Sequence, residues 1–187
     1  MKEWNRKNVL WMLLYAVLYA VGTALVCVTG AITPVMFVCY QITAGILLSG
    51  IVIYAFRKVK APGVAAYFGV AMILLLVVIG DAVAWHVIPI MVIAVLSEAV
   101  RAICKYNWAG DVFGTVIMTF SSFGYYGQIW FNRDYTYKCA VEEMPAGYAD
   151  GLMNASPMWS LIVVIIAGVV LSVVISNLTA KIFKLDK

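Results

Sequence analysis

Charge is scarce in this chain. Of 187 residues, 13 are Lys or Arg and 9 are Asp or Glu, so only 12% are charged, against about a quarter in a soluble domain. That shortage excludes an ordinary water-soluble fold. Histidine is scarcer still: His86 is the single one, so no pair of histidines can sit on one helix to hold zinc. The four cysteines, Cys27, Cys39, Cys104 and Cys139, have no metal-type spacing. A phosphate-binding glycine loop is missing, as is a serine–histidine arrangement with supporting context. No catalytic residue, metal site or resident cofactor is expected, and the chain reads as a non-enzyme. Cys27 and Cys39 flank a short connection where a disulfide is geometrically conceivable, although two apolar-packed thiols are the simpler reading.

Apolar sequence fills the space that charge leaves. Hydrophobic residues are 65% of the chain and the mean hydropathy is +0.98. A helix needs about 20 apolar residues to cross a bilayer, and six such runs are present, at 9–32, 35–56, 64–80, 83–103, 111–131 and 157–180. The first is too long, and too closely followed by others, for a cleaved signal peptide. The expected fold is all-α: a polytopic membrane protein, one compact six-transmembrane-helix bundle over 1–187.

Basic residues set the expected orientation. With the connections assigned alternately to two sides, one side carries Lys2, Arg6, Lys7, Arg57, Lys58, Lys60, Arg101, Lys105, Lys181, Lys184 and Lys187; the other carries only Arg133 and Lys138. Positive loops stay in the cytoplasm, so a multi-pass protein of the cell membrane with both termini inside is expected. The net charge of +4 is then topological, and nucleic acid is not expected as a partner. Trp4, Trp11 and Trp108 fall near the inner boundary and Trp85, Trp130 and Trp159 near the outer one, an aromatic belt at each interface.

Small residues mark where helices can meet, because in lipid helices associate by close backbone approach. Ala16, Ala20 and Ala24 form such a stripe on the first helix and are the candidate partner-docking face. Gly45 with Ser49, and Gly168 with Ser172 and Ser176, are rival faces. Polar residues gather in the outer halves of helices 2, 4 and 5 and in the long outer segment 132–155. Tyr40, Gln41, Trp85, His86, Ser122, Tyr125, Tyr126, Gln128, Glu142 and Glu143 are therefore the candidate substrate-binding residues, with 132–155 as a lid over an outward pocket. Gln41 either bonds a neighbouring helix or lines a cavity. His86 is either a satisfied structural residue or a ligand contact, axial metal coordination included. Glu98 and Arg101, spaced i, i+3, can pair, and Asp111 suits the start of its helix. Thr33-Pro34 and Ser156-Pro157 read as helix starts.

The short first turn to Pro34, the basic Lys58-Val59-Lys60-Ala61-Pro62-Gly63, Ser97-Glu98 at the end of helix 4, the turn containing Tyr106 and the lysine-rich end of helix 6 resemble the substrate-capture (S) components of energy-coupling factor (ECF) transporters, and among them the Trep_Strep family. The resemblance implies capture of a micronutrient at the outer face and delivery inward with a transmembrane coupling protein and two ABC ATPases, which hydrolyse the ATP. It implies contact with the coupling protein at Ala16, Ala20 and Ala24. The outer side carries Asp81, Asp134, Glu142, Glu143 and Asp150 against Arg133 and Lys138, which disfavours a strongly anionic ligand. Aromatic density suits a planar heterocycle or a cation, and His86 keeps heme or a corrinoid among the candidates. Two other classes stay open: a small membrane scaffold without a ligand, and a solitary secondary transporter using Glu98 as its coupling acid.

Overall fold

The computed structural model describes residues 4–185, and among them every regular element is a helix. Lys2 and Lys187, counted in the charge bias, lie outside the described residues. The helices are α1 (Arg6–Ile32), α2 (Pro34–Val38), α3 (Tyr40–Val59), α4 (Val64–Ile79), α5 (Ala84–Ile103), α6 (Trp108–Met118), α7 (Phe123–Tyr126), α8 (Gln128–Phe131), α9 (Arg133–Glu143), α10 (Tyr148–Ala155) and α11 (Met158–Ile182). Four of them, α1, α3, α5 and α11, are long and apolar enough to cross a membrane, and α4 is a shorter apolar helix. This is the architecture of an all-α polytopic membrane protein, but not of six continuous helices. The second run is bent at Cys39 into α2 and α3, the fifth is cut into α6, α7 and α8, and the lid is itself helical.

Local chemistry accounts for the breaks. Thr33 caps α2 as expected: its Oγ1 accepts from the Met36 N–H (3.2 Å), with Pro34 at the first position. After Met118 the fifth run departs from helix. Met118 O accepts the Ser121 N–H at 3.1 Å, one residue short of the donor a continuous α-helix would use, and the Tyr19 hydroxyl of α1 donates to the same oxygen (2.8 Å) while sitting 2.7 Å from Ser121 Oγ. Broken backbone at membrane depth is tolerated where neighbouring groups satisfy it in this way. Ser156 does not cap α11: its hydroxyl donates backward to Leu152 O (2.7 Å), and α11 starts one residue beyond Pro157.

The rival small-residue faces are consumed inside the bundle. A Cβ on Gly45 would lie 2.6 Å from Gly168 O, and one on Gly168 would lie 2.7 Å from Gln41 O. The Ser49 hydroxyl donates to Gly45 O (2.6 Å) and lies 2.7 Å from the Ser172 hydroxyl. These residues let α3 and α11 pack backbone to backbone. Ala16 is buried, Ala20 half-buried and Ala24 exposed, so the alanine stripe runs from interior to surface along α1. The exposed sides of α1, α4, α5 and α11 carry Leu, Val and Ile, as a lipid-facing surface requires.

At the end of the bundle that carries the basic turns lies a buried ionic cluster. Asp111 accepts from Arg57 and from Arg101, each at 2.9 Å, and Arg101 also pairs with Glu98 at 2.9 Å. The Arg101 side chain is 0% and that of Asp111 1% exposed. The i, i+3 pair is as expected, and so is the place of Asp111 in the first turn of α6; its bridge between Arg57 of α3 and Arg101 of α5 comes in addition.

Candidate functional site

Opposite the basic end, the lid helices α9 and α10 cover a cavity of about 420 Å³. Arg133 secures the lid: its guanidinium donates to Ser156 O (2.6 Å), Met153 O (2.9 Å) and Ile129 O (3.3 Å). One of the only two cations expected on this side is thus spent on architecture. Tyr148 donates to Gly30 O (2.5 Å), tying α10 to the end of α1, and Tyr137 donates to Asp150 Oδ1 (3.0 Å). Burial raises the Tyr148 phenol above its ordinary pKa, and the bond to the Asp150 carboxylate raises that of Tyr137, so both remain neutral donors near neutrality.

A second cavity of about 370 Å³ lies deeper, between α1, α4, α5 and the broken segment, and is lined by Ala20, Thr23, Ala24, Tyr40, Ser121 and Ser122 among mainly apolar neighbours. Asp81, His86 and Tyr125 line both cavities and form the wall between them. Their placement follows from the chain. Gly80 ends α4 in the left-handed region (φ 79°), where glycine meets no Cβ penalty, and the Asp81 N–H turns back to Leu76 O (2.9 Å). Five residues later, in the first turn of α5, His86 Nδ1 faces both Asp81 O and Asp81 Oδ2 at 3.2 Å. Two acceptors in front of Nδ1 assign the proton of a neutral ring to that nitrogen and leave a lone pair on Nε2. The ring meets Tyr125 edge-on, with centroids 5.5 Å apart.

Of the ten expected binding residues, seven line one or both cavities: Tyr40, Trp85, His86, Ser122, Tyr125, Gln128 and Glu143. Three do not. Gln41 is fully buried, donates to Thr119 Oγ1 (2.9 Å) and accepts from the Tyr126 hydroxyl. Tyr126 is fully buried and stacks on Tyr40, centroids 4.5 Å apart. Of the two readings of Gln41 the bond to a neighbouring helix holds, and Tyr126 is corrected from pocket wall to its partner; together with Thr119 they form a polar clamp that joins α3 to the broken segment. Glu142 is exposed and points away from the cavity that Glu143 lines, as successive helical positions must. Asp81, Phe37, Tyr135, Met144 and Tyr148 also line the lidded cavity and were not among the expected binding residues. The i, i+5 spacing of Asp81 and His86 directly after the glycine turn at Gly80 was the signal that could have found the first of them.

All four cysteines are free thiols, and Cys27 Sγ lies 3.1 Å from the Tyr40 hydroxyl and not bonded to Cys39. Among the described residues no group of three or more His, Cys, Asp or Glu could hold a metal ion. Neither a curated protein nor a solved structure matches the chain. The model of one family, described as a hypothetical bacterial integral membrane protein (Trep_Strep), matches residues 6–185; the chain belongs to that family of bacterial integral membrane proteins.

Proposed function

We propose that this protein is the substrate-capture component of an ECF importer, taking a small aromatic or heterocyclic micronutrient at the outer face and passing it inward with a transmembrane coupling protein and two ABC ATPases. The observation that carries this reading is the lidded cavity of about 420 Å³ at the end remote from the basic turns, within the range of roughly 300–1,000 Å³ of small-ligand sites. Trp85, Tyr125 and Tyr135 supply stacking faces, while Asp81 and Glu143 favour a cationic or hydrogen-donating group. The concentration of Arg57, Lys58, Lys60, Arg101 and Lys105 at the opposite end supports a cytoplasmic position for that end and for both termini in the cell membrane. The subunit itself is no enzyme and holds no permanent cofactor; the partner ATPases hydrolyse ATP. Partner contact falls on Ala20 and Ala24, since Ala16 is buried.

The test is recovery of tagged protein from native membranes in mild detergent, with partners identified by mass spectrometry. Two ABC-type ATPases and a coupling membrane protein are expected with the unaltered chain. Ala20→Leu combined with Ala24→Leu is expected to cut their recovery about tenfold or more while leaving the elution volume of the chain itself unchanged. Clean recovery without those partners would return the chain to the scaffold or solitary-transporter classes. The latter finds little support in Glu98, whose Oε2 is held by Arg101 (2.9 Å) and the Ala65 N–H (3.0 Å).

A second reading of the cargo is a metal-bearing macrocycle, heme or a corrinoid, favoured by one observation. His86 Nδ1 is oriented by Asp81, the second-shell arrangement that raises the basicity of a ligating imidazole. With heme added to the purified protein, His86→Ala is expected to abolish the Soret shift seen with the parent. An identical spectrum from the two proteins removes the coordination role and leaves the stacked-heterocycle reading in place.

A further inference from the structure

Resting on the capture reading, we propose that the cargo is amphipathic: a planar, cationic or hydrogen-donating head held under the lid carries an aliphatic arm that lies in the deeper cavity between α1 and α4.

The two cavities divide the chemistry between them. The lidded one is lined by Asp81, His86, Gln128, Thr136 and Glu143 along with its aromatics. The deeper one adds Val28, Met72, Leu75, Leu76, Ile79 and Ile90. Three of its hydroxyls are already engaged within the protein. Thr23 Oγ1 donates to Tyr19 O (2.9 Å), the Tyr40 hydroxyl lies 3.1 Å from Cys27 Sγ, and Ser121 Oγ lies 2.7 Å from the Tyr19 hydroxyl. A buried water needs two to four polar partners, so this space suits hydrocarbon better than water. An apolar cavity of about 150 Å³ takes a benzene molecule, and in proportion about 370 Å³ holds on the order of a dozen carbon atoms.

Two observations make the occupant an arm of the molecule under the lid. The first is the thinness of the partition. Asp81, His86 and Tyr125 line both cavities. Tyr125 meets the rings of Phe37, Tyr40 and His86 at centroid distances of 5.6, 6.1 and 5.5 Å, yet it is 39% exposed. A head stacked on Tyr125 stands at the boundary, and a substituent on that head has the deeper cavity within reach. The second is the mouth of the deeper cavity. Toward the basic end, Tyr19 of α1 and Phe68 of α4 meet with centroids 4.9 Å apart. Farther out the cavity lies between the same two helices, and Ala24, Val28 and Ile79 at its edge are exposed. Exposed apolar side chains on these helices face lipid, so an aliphatic arm enters sideways from the bilayer without crossing a polar surface.

The experiment measures equilibrium binding of N-methylpyridinium and N-hexylpyridinium, planar cations that differ only in the arm. The full chain is held in phosphatidylcholine nanodiscs, and uptake by empty nanodiscs is subtracted. A buried methylene gives roughly a fourfold gain in affinity, so the hexyl compound is expected to bind at least about thirtyfold more tightly than the methyl compound. Leu75→Trp/Ile79→Phe narrows the deeper cavity from one face of α4 and is expected to abolish that preference. Glu143→Gln alters the lidded cavity alone and is expected to weaken both compounds alike, keeping the preference. Because the preference is a ratio measured on one sample, partial loss of folded protein does not alter it. Saturable binding of both compounds with no preference for the hexyl arm, or a preference that Leu75→Trp/Ile79→Phe leaves intact, overturns the amphipathic cargo while the capture reading stands. Phosphatidylcholine retained by the chain in native mass spectrometry and not displaced by N-hexylpyridinium assigns the deeper cavity to a membrane lipid and also overturns it. Absence of saturable binding by either compound removes the lidded cavity as a site for a cationic heterocycle, and the proposal falls with it.

Discussion

Asp111→Asn is expected to lower the stability of the protein by about 3–5 kcal/mol, the cost of removing the carboxylate that two buried arginines share. The substitution keeps the shape of the side chain and removes only its charge. Arg57 and Arg101, with side chains 8% and 0% exposed, both donate to that carboxylate. Neither can swing into water: Arg101 is held over Phe56 and Arg57 lies over Trp108. Glu98→Gln makes the comparison. Glu98 is 17% exposed and bonds one arginine nitrogen and one backbone N–H, and the amide oxygen of Gln can still accept both, so a loss of about 1 kcal/mol is expected. Unfolding in mixed micelles with rising SDS reads both variants on one scale. Equal effects would mean that the cluster is hydrated in the membrane and that its burial does not determine its strength.

The consequence of this cluster reaches beyond stability. It joins α3, α5 and α6 at one end, while the Gln41, Thr119 and Tyr126 clamp joins α3 to the broken segment nearer the other. Two polar fasteners at different depths hold the same helices, and the cavities lie beyond the second. In lipid, where apolar burial between helices contributes little, such hydrogen bonds and close small-residue contacts carry the specificity of the fold.

The gross architecture could be read from the chain because the bilayer imposes it. The apolar runs, the cap at Thr33 and the basic turns are local signals, and each emerged close to its expected place. The Glu98–Arg101 pair was legible for the same reason: i, i+3 spacing is a property of one helix. The bridging role of Asp111 was not, since its partners come from 54 and 10 residues away. Nor was the break after Met118, where a tyrosine of α1 reaches across the bundle to share the Met118 carbonyl. Gln41 shows the limit most clearly. A glutamine in an apolar run signals either a hydrogen bond or a cavity, and only the position of Tyr126 and Thr119 decides between them. Seven of the ten candidate residues line the cavities because polarity clustered at one end is itself a spatial signal along helices of known rise. The acid pair 142–143 split because adjacent helical residues point about 100° apart.

Gly124→Ala is the substitution expected to damage the candidate site most. Pro89 lies inside α5 and has no N–H to give the carbonyl of Trp85, four residues earlier. The freed carbonyl faces α7, and Gly124 packs directly on it: a Cβ at this position would collide with Trp85 O and lie 2.6 Å from Pro89 Cγ. Neither obstacle is the tip of a flexible side chain, so relief requires α5 and α7 to separate. Those helices carry His86 and Tyr125, the wall shared by the two cavities, and Gln128 bonds Gly124 O at 3.1 Å. Overpacking of this kind costs about 1–3 kcal/mol, so the chain is expected to fold with a lower unfolding temperature but with the wall displaced. Fluorescence quenching of the exposed Trp85 by acrylamide reads that displacement directly, and is expected to rise in Gly124→Ala. Pro89→Ala restores a backbone donor for Trp85 O, and combined with Gly124→Ala it is expected to worsen the clash by drawing that carbonyl into a regular helix. If Gly124→Ala quenches like the parent and unfolds at the same temperature, the close approach of α5 and α7 is not what positions the wall, and the orientation of His86 must then rest on Asp81 alone.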